Sequence, residues 1–205
     1  MKDPTSRHAR RRRETRERLL EAAAFLFAQQ GVQDSKVSEI CERADVAQQT
    51  FFNHFPAKQD VVRALVRLAQ RNVSAAIASA TAAGGSTGER IARLFESIQL
   101  QASEHGALHQ DLLSTMIRAA NEGKGPDESR SVHRALAGLV EAGRAGGDVS
   151  RSHAVEDQVD LLFGALYTIM SEWAHREGFD FAERSGRMAR LLADALAPRA
   201  PRLPC

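Results

Sequence analysis

Apolar side chains return every three or four positions along almost the whole chain, and each such stripe predicts an amphipathic helix. Leu19, Ala23, Leu26 and Phe27 form the first. Val62, Leu65, Val66, Ala69, Val73 and Ile77 form a longer one, and Ile91, Leu94, Phe95, Ile98 and Ala102 the next. Leu108, Leu112, Met116 and Ala119 follow, then Val132, Leu136, Leu139 and Val140. The last two are Val155, Val159, Leu162, Phe163, Leu166, Met170 and Trp173, and then Met188, Leu191, Leu192 and Ala195. No stretch sustains the apolar–polar alternation, rich in β-branched and aromatic residues, that predicts a strand. The expected fold class is all-α, with about nine helices.

Turn chemistry separates the stripes: Gly31, Gly84-Gly85, His105-Gly106, Gly123-Lys124-Gly125-Pro126, Gly146-Gly147-Asp148 and Glu177-Gly178. Two helix starts carry capping-box spacing, Ser86 with Glu89 and Asp180 with Glu183. In such a box the first side chain accepts from an orphan amide and the second reaches back. After Pro198, Pro201 and Pro204 forbid a further helix, so residues 198–205 are expected to be a disordered tail.

The segment with most to say about function lies between Val37 and Phe55. Two short helical stretches, VSEICERA and QQTFFNHF, are joined by Asp45-Val46-Ala47. Ile40, Ala44, Val46 and Phe51 fall where a helix-turn-helix buries residues between its helices, and the small Cys41 and Ala44 permit close approach. Asp45 stands at the turn position that wants a positive φ, for which Gly is best and Asn or Asp next. Pro56 then stops the second helix, because the residue before a proline is pushed out of the helical region.

From Arg18 to Lys58 the sequence RLLEAAAFLFAQQGVQDSKVSEICERADVAQQTFFNHFPAK resembles the DNA-binding head of the tetracycline-repressor (TetR) family. The carriers of the likeness are a first helix ending F-A-x-x-G, a second of pattern x-I-x-x-x-A, and T-F-F-N-H-F-P-x-K leading into a long fourth helix. The resemblance is strong over roughly the first third of the chain. Beyond that it rests on helix count, length and a Trp173-containing helix followed by FDFAERSGRMARLLADAL. It implies that Gln48, Gln49, Thr50, Phe52, Asn53 and His54 face the major groove of double-stranded DNA, with Ser38 beside them and Lys58 on a phosphate. The residue chemistry agrees, since Gln and Asn pair bidentately with adenine and Thr and Phe touch a thymine methyl. Phe51 and Phe55 are expected in the core and only Phe52 outside it.

Several positions depart from the family pattern. Ala47 and Ala57 stand where Ser is usual, Phe52 where Tyr is usual, Lys36 where a capping Thr is usual and Asp45 where Gly is usual. Most of these changes remove hydroxyls, and with them caps or phosphate contacts. Arginines offer compensation. Through Arg18 there are eight Lys or Arg against three Asp or Glu, so this end carries +5 and the remainder −3. Charge alone fits either a polyanionic partner or a solvated, disordered tail; the resemblance implies a basic arm over residues 1–13, with Arg10, Arg11, Arg12 and Arg13 following the duplex, and with it salt-sensitive binding. The head is expected over 14–58 and a ligand-binding and dimerisation body over 59–197.

A single reading head covers one half-site, so a homodimer on a near-palindromic operator is expected. The resemblance places the dimer surface on the eighth and ninth predicted helices, about 153 to 176 and 180 to 197. It also implies a small-molecule effector pocket in the body. Candidate lining residues are Phe95, Gln99, His109, Met116, Phe163, Tyr167, Met170 and Trp173, a mixture of apolar, polarizable and polar-tipped side chains. The function read from all this is a sequence-specific transcriptional regulator, a repressor released by an effector. The competing reading is a ligand-independent regulator whose body only dimerises.

Composition narrows the field further. With 43% hydrophobic and 26% charged residues, and no apolar run near the roughly 18 residues of a membrane span, no membrane association is expected. The basic first residues lead into no apolar signal segment, so a cytoplasmic protein is expected. Cys41 and Cys205 lack metal-ligand spacing and are read as free thiols. His105 and His109 have no carboxylate or cysteine partner in view, so neither a metal nor a cofactor is expected. Gly84-Gly85-Ser86-Thr87-Gly88 fits G-x-S-x-G, but a nucleophile elbow must follow a strand, and here Ser86 reads as a helix cap. No enzyme activity is expected.

Overall fold

The structure is a computed structural model, and it describes residues 4–103, 129–176 and 178–198. Among these residues there are eight helices and no strand: α1 (Pro4–Asp34), α2 (Val37–Arg43), α3 (Gln48–His54), α4 (Lys58–Ala82), α5 (Thr87–Ser103), α6 (Ser129–Gly146), α7 (Val155–His175) and α8 (Phe181–Leu196). The all-α class holds. The predicted stripe Leu108–Ala119, with the turns around it, lies outside the described residues, as does the tail beyond Pro198.

Two compact units divide the described chain, one of residues 4–68 and one of the remainder. The first takes in the start of α4 because Val61, Val62, Leu65 and Val66 close its core together with Leu19, Ala23, Phe27, Ile40, Phe51 and Phe55. Phe27 and Phe51 are wholly buried. A side chain so placed contributes about 1.5–3 kcal/mol, so these few aromatics decide whether the short α2 and α3 are helical at all.

In the second unit, Ile77 of α4, Ile91, Leu94 and Phe95 of α5, Leu136, Leu139 and Val140 of α6, Leu162 and Ile169 of α7, and Leu192 and Leu196 of α8 form one core. The start of α5 is held twice. Glu89 accepts from the Ser86 N–H at 2.8 Å while the Ser86 hydroxyl accepts from the Glu89 N–H at 3.3 Å, the reciprocal box its spacing predicts. Asp148, in the loop after α6, accepts from both the N–H and the hydroxyl of Thr87. A side chain at Gly143 would collide with Thr87 and Val149, so glycine lets the start of α5 and the loop after α6 pack onto the last turns of α6. At α8 only half the predicted box forms. Asp180 accepts from the Glu183 N–H at 2.8 Å, while Glu183 turns to Arg187 at 2.6 Å.

Candidate nucleic-acid interface

The turn between α2 and α3 is built from its own backbone. The Asp45 N–H donates to the Glu42 carbonyl at 3.1 Å and the Val46 N–H to the Cys41 carbonyl at 3.0 Å. This paired pattern satisfies the last carbonyls of a helix and requires a left-handed residue just past its end. Asp45 supplies it at φ 51, alone among the described non-glycine residues. Cys41, buried beside the turn, is a free thiol whose pKa burial pushes up, so it stays protonated and packs as a small apolar group.

α3 divides its side chains between core and solvent. Phe51 is buried, with the Phe55 ring 5.9 Å and the Phe52 ring 5.4 Å from its own. Phe52 is 47% exposed. Gln48, Gln49 and Asn53 are exposed with it, Thr50 and His54 are half-buried, and Ser38 of α2 is exposed. The Gln49 amide donates to Asn53 Oδ1 at 3.4 Å across one turn, so two amide side chains stand on one solvent face. That face offers bidentate donor–acceptor pairs and an apolar ring, the groups that read adenine and the thymine methyl in a major groove.

The predicted loss of caps is visible at the helix starts. Lys36 has no acceptor atom, so α2 keeps only the returning half of its box, the Lys36 N–H donating to Glu39 at 3.0 Å. That backbone bond, followed by one from the Gln30 amide, lowers the Glu39 pKa. At α4, Asp60 likewise accepts from the Ala57 N–H at 3.0 Å. Ala47 gives α3 no side-chain cap. Ala47→Ser should therefore raise head stability by about 0.5–2 kcal/mol, checked by chemical denaturation.

Lys58 is engaged within the head. Its ammonium donates to the carbonyls of Val32 at 2.7 Å, Gln33 at 3.1 Å and Ser35 at 2.9 Å. Those carbonyls belong to the turn released when α1 breaks at Gly31, whose φ is 79. All three N–H bonds of the lysine are directed into the head, so it braces the end of α1.

The four consecutive arginines are helical, since α1 begins at Pro4. A helix turns about 100° per residue, so they cannot share a side. Arg10 pairs with Glu14 at 3.2 Å, while Arg12 and Arg13 join Ala9, Arg16 and His54 around a shallow cleft. Arg16, which the resemblance does not single out, donates to the His54 carbonyl at 3.4 Å and lies 4.2 Å over the Phe55 ring. The signal that could have found it is the spacing 9, 12, 13, 16, one face of a helix. Partial burial, then the charges of Arg12 and Arg16, hold the His54 imidazole below its ordinary pKa.

The candidate effector residues are scattered in burial. Phe95 is in the core, Gln99, Met170 and Trp173 are half-buried, and His109 and Met116 lie outside the described residues. Phe163 stacks on His133, ring centres 4.3 Å apart, and Trp173 meets Phe181 edge-on at 6.3 Å. Tyr167 is 38% exposed, on the outer side of α7 with Leu161, because residues 162, 166 and 169 take the inward face. It is not brought together with the others. A cleft in the body is lined by Arg130, His133, Arg134, Ala137, Val155, Glu156, Val159 and Asp160, and by none of the candidates. Among the described residues no group of His, Cys, Asp and Glu could hold a metal, and no helix is long and apolar enough to cross a membrane.

A buried three-helix core carrying a helix-turn-helix and a separate helical unit make up the described chain. Residues 19–65 match the family model of the tetR family of bacterial regulatory proteins. An HTH-type transcriptional regulator of Bacillus subtilis, YdgC, is 42% identical over 53 residues, 26% of this chain and 27% of that protein. The matched stretch thus spans about a quarter of that relative.

Over the whole chain the likeness is one of fold. The fatty acid degradation regulator FadR from Bacillus halodurans superposes with a TM-score of 0.72 at 20% identity, covering 87% of this chain and 94% of its own. FadR from Bacillus subtilis, solved with stearoyl-CoA, gives 0.71 at 19%, covering 88% and 98%. FadR from Thermus thermophilus, a TetR-family repressor solved with lauroyl-CoA, gives 0.65 at 24%, covering 93% and 99%.

Proposed function

We propose that this protein is a cytoplasmic transcriptional regulator that binds a near-palindromic operator as a homodimer and leaves it when a small molecule fills the body. The observation that carries the first part is the solvent face of α3, where Gln48, Gln49, Phe52 and Asn53 stand exposed on a head anchored by Phe51 and Phe55. Side chains that read base edges need that combination of exposure and rigid backing.

Dimerisation rests on α7 and α8. Leu161, Tyr167 and Leu191 are exposed there, at 45%, 38% and 60%, and contact with a second copy would take them out of water. Two-fold pairing of two helices per subunit makes a four-helix arrangement, which joins two heads in one molecule.

The experiment is selection of bound duplexes from a random-sequence pool, followed by titration of the recovered duplex. A two-fold symmetric site supports the reading, and binding with no sequence preference would remove it. For the effector, the fold likeness to two regulators solved with acyl-CoA thioesters makes long-chain acyl-CoA the first class to try. A ligand at one hundred times its Kd stabilises the folded state by about 2.7 kcal/mol, which a thermal shift reports. Lauroyl-CoA and stearoyl-CoA should raise the midpoint and weaken duplex binding. A flat response across these and a wider metabolite panel would favour the ligand-independent regulator.

A further inference from the structure

We infer that Gln70 is the hydrogen-bond acceptor by which the body reads its effector, and that the effector brings a neutral O–H or N–H donor on an otherwise apolar frame. The inference rests on the effector reading above and adds to it one recognising residue and the chemistry it selects.

Two glutamines of the second unit are buried to the same depth, Gln70 on α4 and Gln158 on α7, each only 4% exposed. Gln158 is fully served. Its Oε1 accepts from Arg144 Nε at 3.2 Å and Nη2 at 2.9 Å, and its amide nitrogen donates to the Ser150 carbonyl at 2.9 Å. That is how a structural amide is held. Gln70 Oε1, by contrast, is buried with no hydrogen-bond partner. Its desolvation is uncompensated, and such a group calls for a partner from elsewhere.

The polar neighbours have already committed their protons. Ser74, one turn along α4, donates its hydroxyl to the Gln70 backbone carbonyl at 2.9 Å. A hydroxyl has a single proton, so in the 3.0 Å contact between Ser74 and Ser131 of α6 the proton comes from Ser131. The rest of this face of α4 is apolar: Val73 and Ile77, one and two turns on, pack in the body core. A buried water would need about two to four polar partners there. A largely apolar molecule with one hydroxyl or amide N–H needs Gln70 alone. Its donor is neutral, because an ionised one would give up its hydration for a single uncharged acceptor.

The full chain supplies the test. Without ligand, Gln70→Met should raise the thermal midpoint by about 2 to 6 °C, since methionine keeps the shape and removes the unpaired oxygen. In the wild type, decanol should raise the midpoint, and decyl methyl ether, which lacks the donor, should bind about tenfold more weakly or worse. Gln70→Met should bind the two alike. Lauroyl-CoA, whose amides carry N–H donors, tests the other source: if Gln70 reads an amide, that ligand and not the alcohol loses about tenfold or more in Gln70→Met. Gln70→Leu carries the same comparisons if the methionine variant does not fold.

A lower midpoint in the folded variant, or failure of both variants to fold, makes Gln70 a structural amide and overturns the inference. So does a ligand that wild type and variant bind equally tightly. Either result leaves the effector reading standing. A wild-type chain that responds to none of these probes and to none of a wider metabolite panel brings down both.

Discussion

Replacing Lys58 with methionine should destabilise the head by about 2 to 4 kcal/mol, although the residue lies at the first position of α4 and is only half-buried. Its ammonium serves three carbonyls in the turn between Gly31 and α2, at 2.7 to 3.1 Å. A hydrogen bond from a charged donor is worth about 1.5–3 kcal/mol, and three to one group fall short of additive. Methionine keeps the length of the stem and removes every donor, leaving those carbonyls without their partner. Amide exchange should show the loss in α2 and the last turn of α1 before it reaches the body. Salt titrations of duplex binding supply the contrary outcome: a slope reduced by about one, with stability unchanged, would return Lys58 to the phosphate role that its family position implies.

The second large effect belongs to the body. Leu161→Asp combined with Leu191→Asp should give a folded monomer whose affinity for the palindromic duplex is lower by about 10²-fold or more. Both leucines are already exposed, at 45% and 60%, so their replacement removes little buried surface within the chain. Between two copies, each aspartate would carry a charge into an apolar contact, at a cost that the dimer cannot offset. Affinity falls because the second head no longer binds as an intramolecular event. Sedimentation equilibrium and duplex titration measure the two halves. A variant that remains dimeric would move the interface elsewhere.

Dimer disruption and loss of the Lys58 brace act on opposite ends of the same requirement. A reading helix of seven residues has little intrinsic stability, so its geometry must come from what it is packed on. Phe51 and Phe55 hold it from inside, Arg16 holds its last carbonyl, and the proposed dimer supplies its twin.

Much of this was legible in the residues alone. The all-α class, the breaks at Gly31 and Gly84-Gly85, the positive φ of Asp45, the Ser86–Glu89 box and the division of Phe51 and Phe55 from Phe52 are all local matters. Each is decided within four or five residues, by the 3.6-residue period, by the steric demands of one φ angle, or by the reach of one side chain. The tertiary structure decided the rest. Nothing near Lys58 in sequence says that its ammonium turns to carbonyls 23 to 26 residues earlier. Nothing in the run Arg10 to Arg13 says which two meet His54, or that Arg16 completes the set. Tyr167 reads as a pocket residue by chemistry and stands outside by rotation about α7. Partners of that kind depend on how helices pack across long stretches of chain, and a periodic pattern fixes the face a helix buries without naming the neighbour it meets.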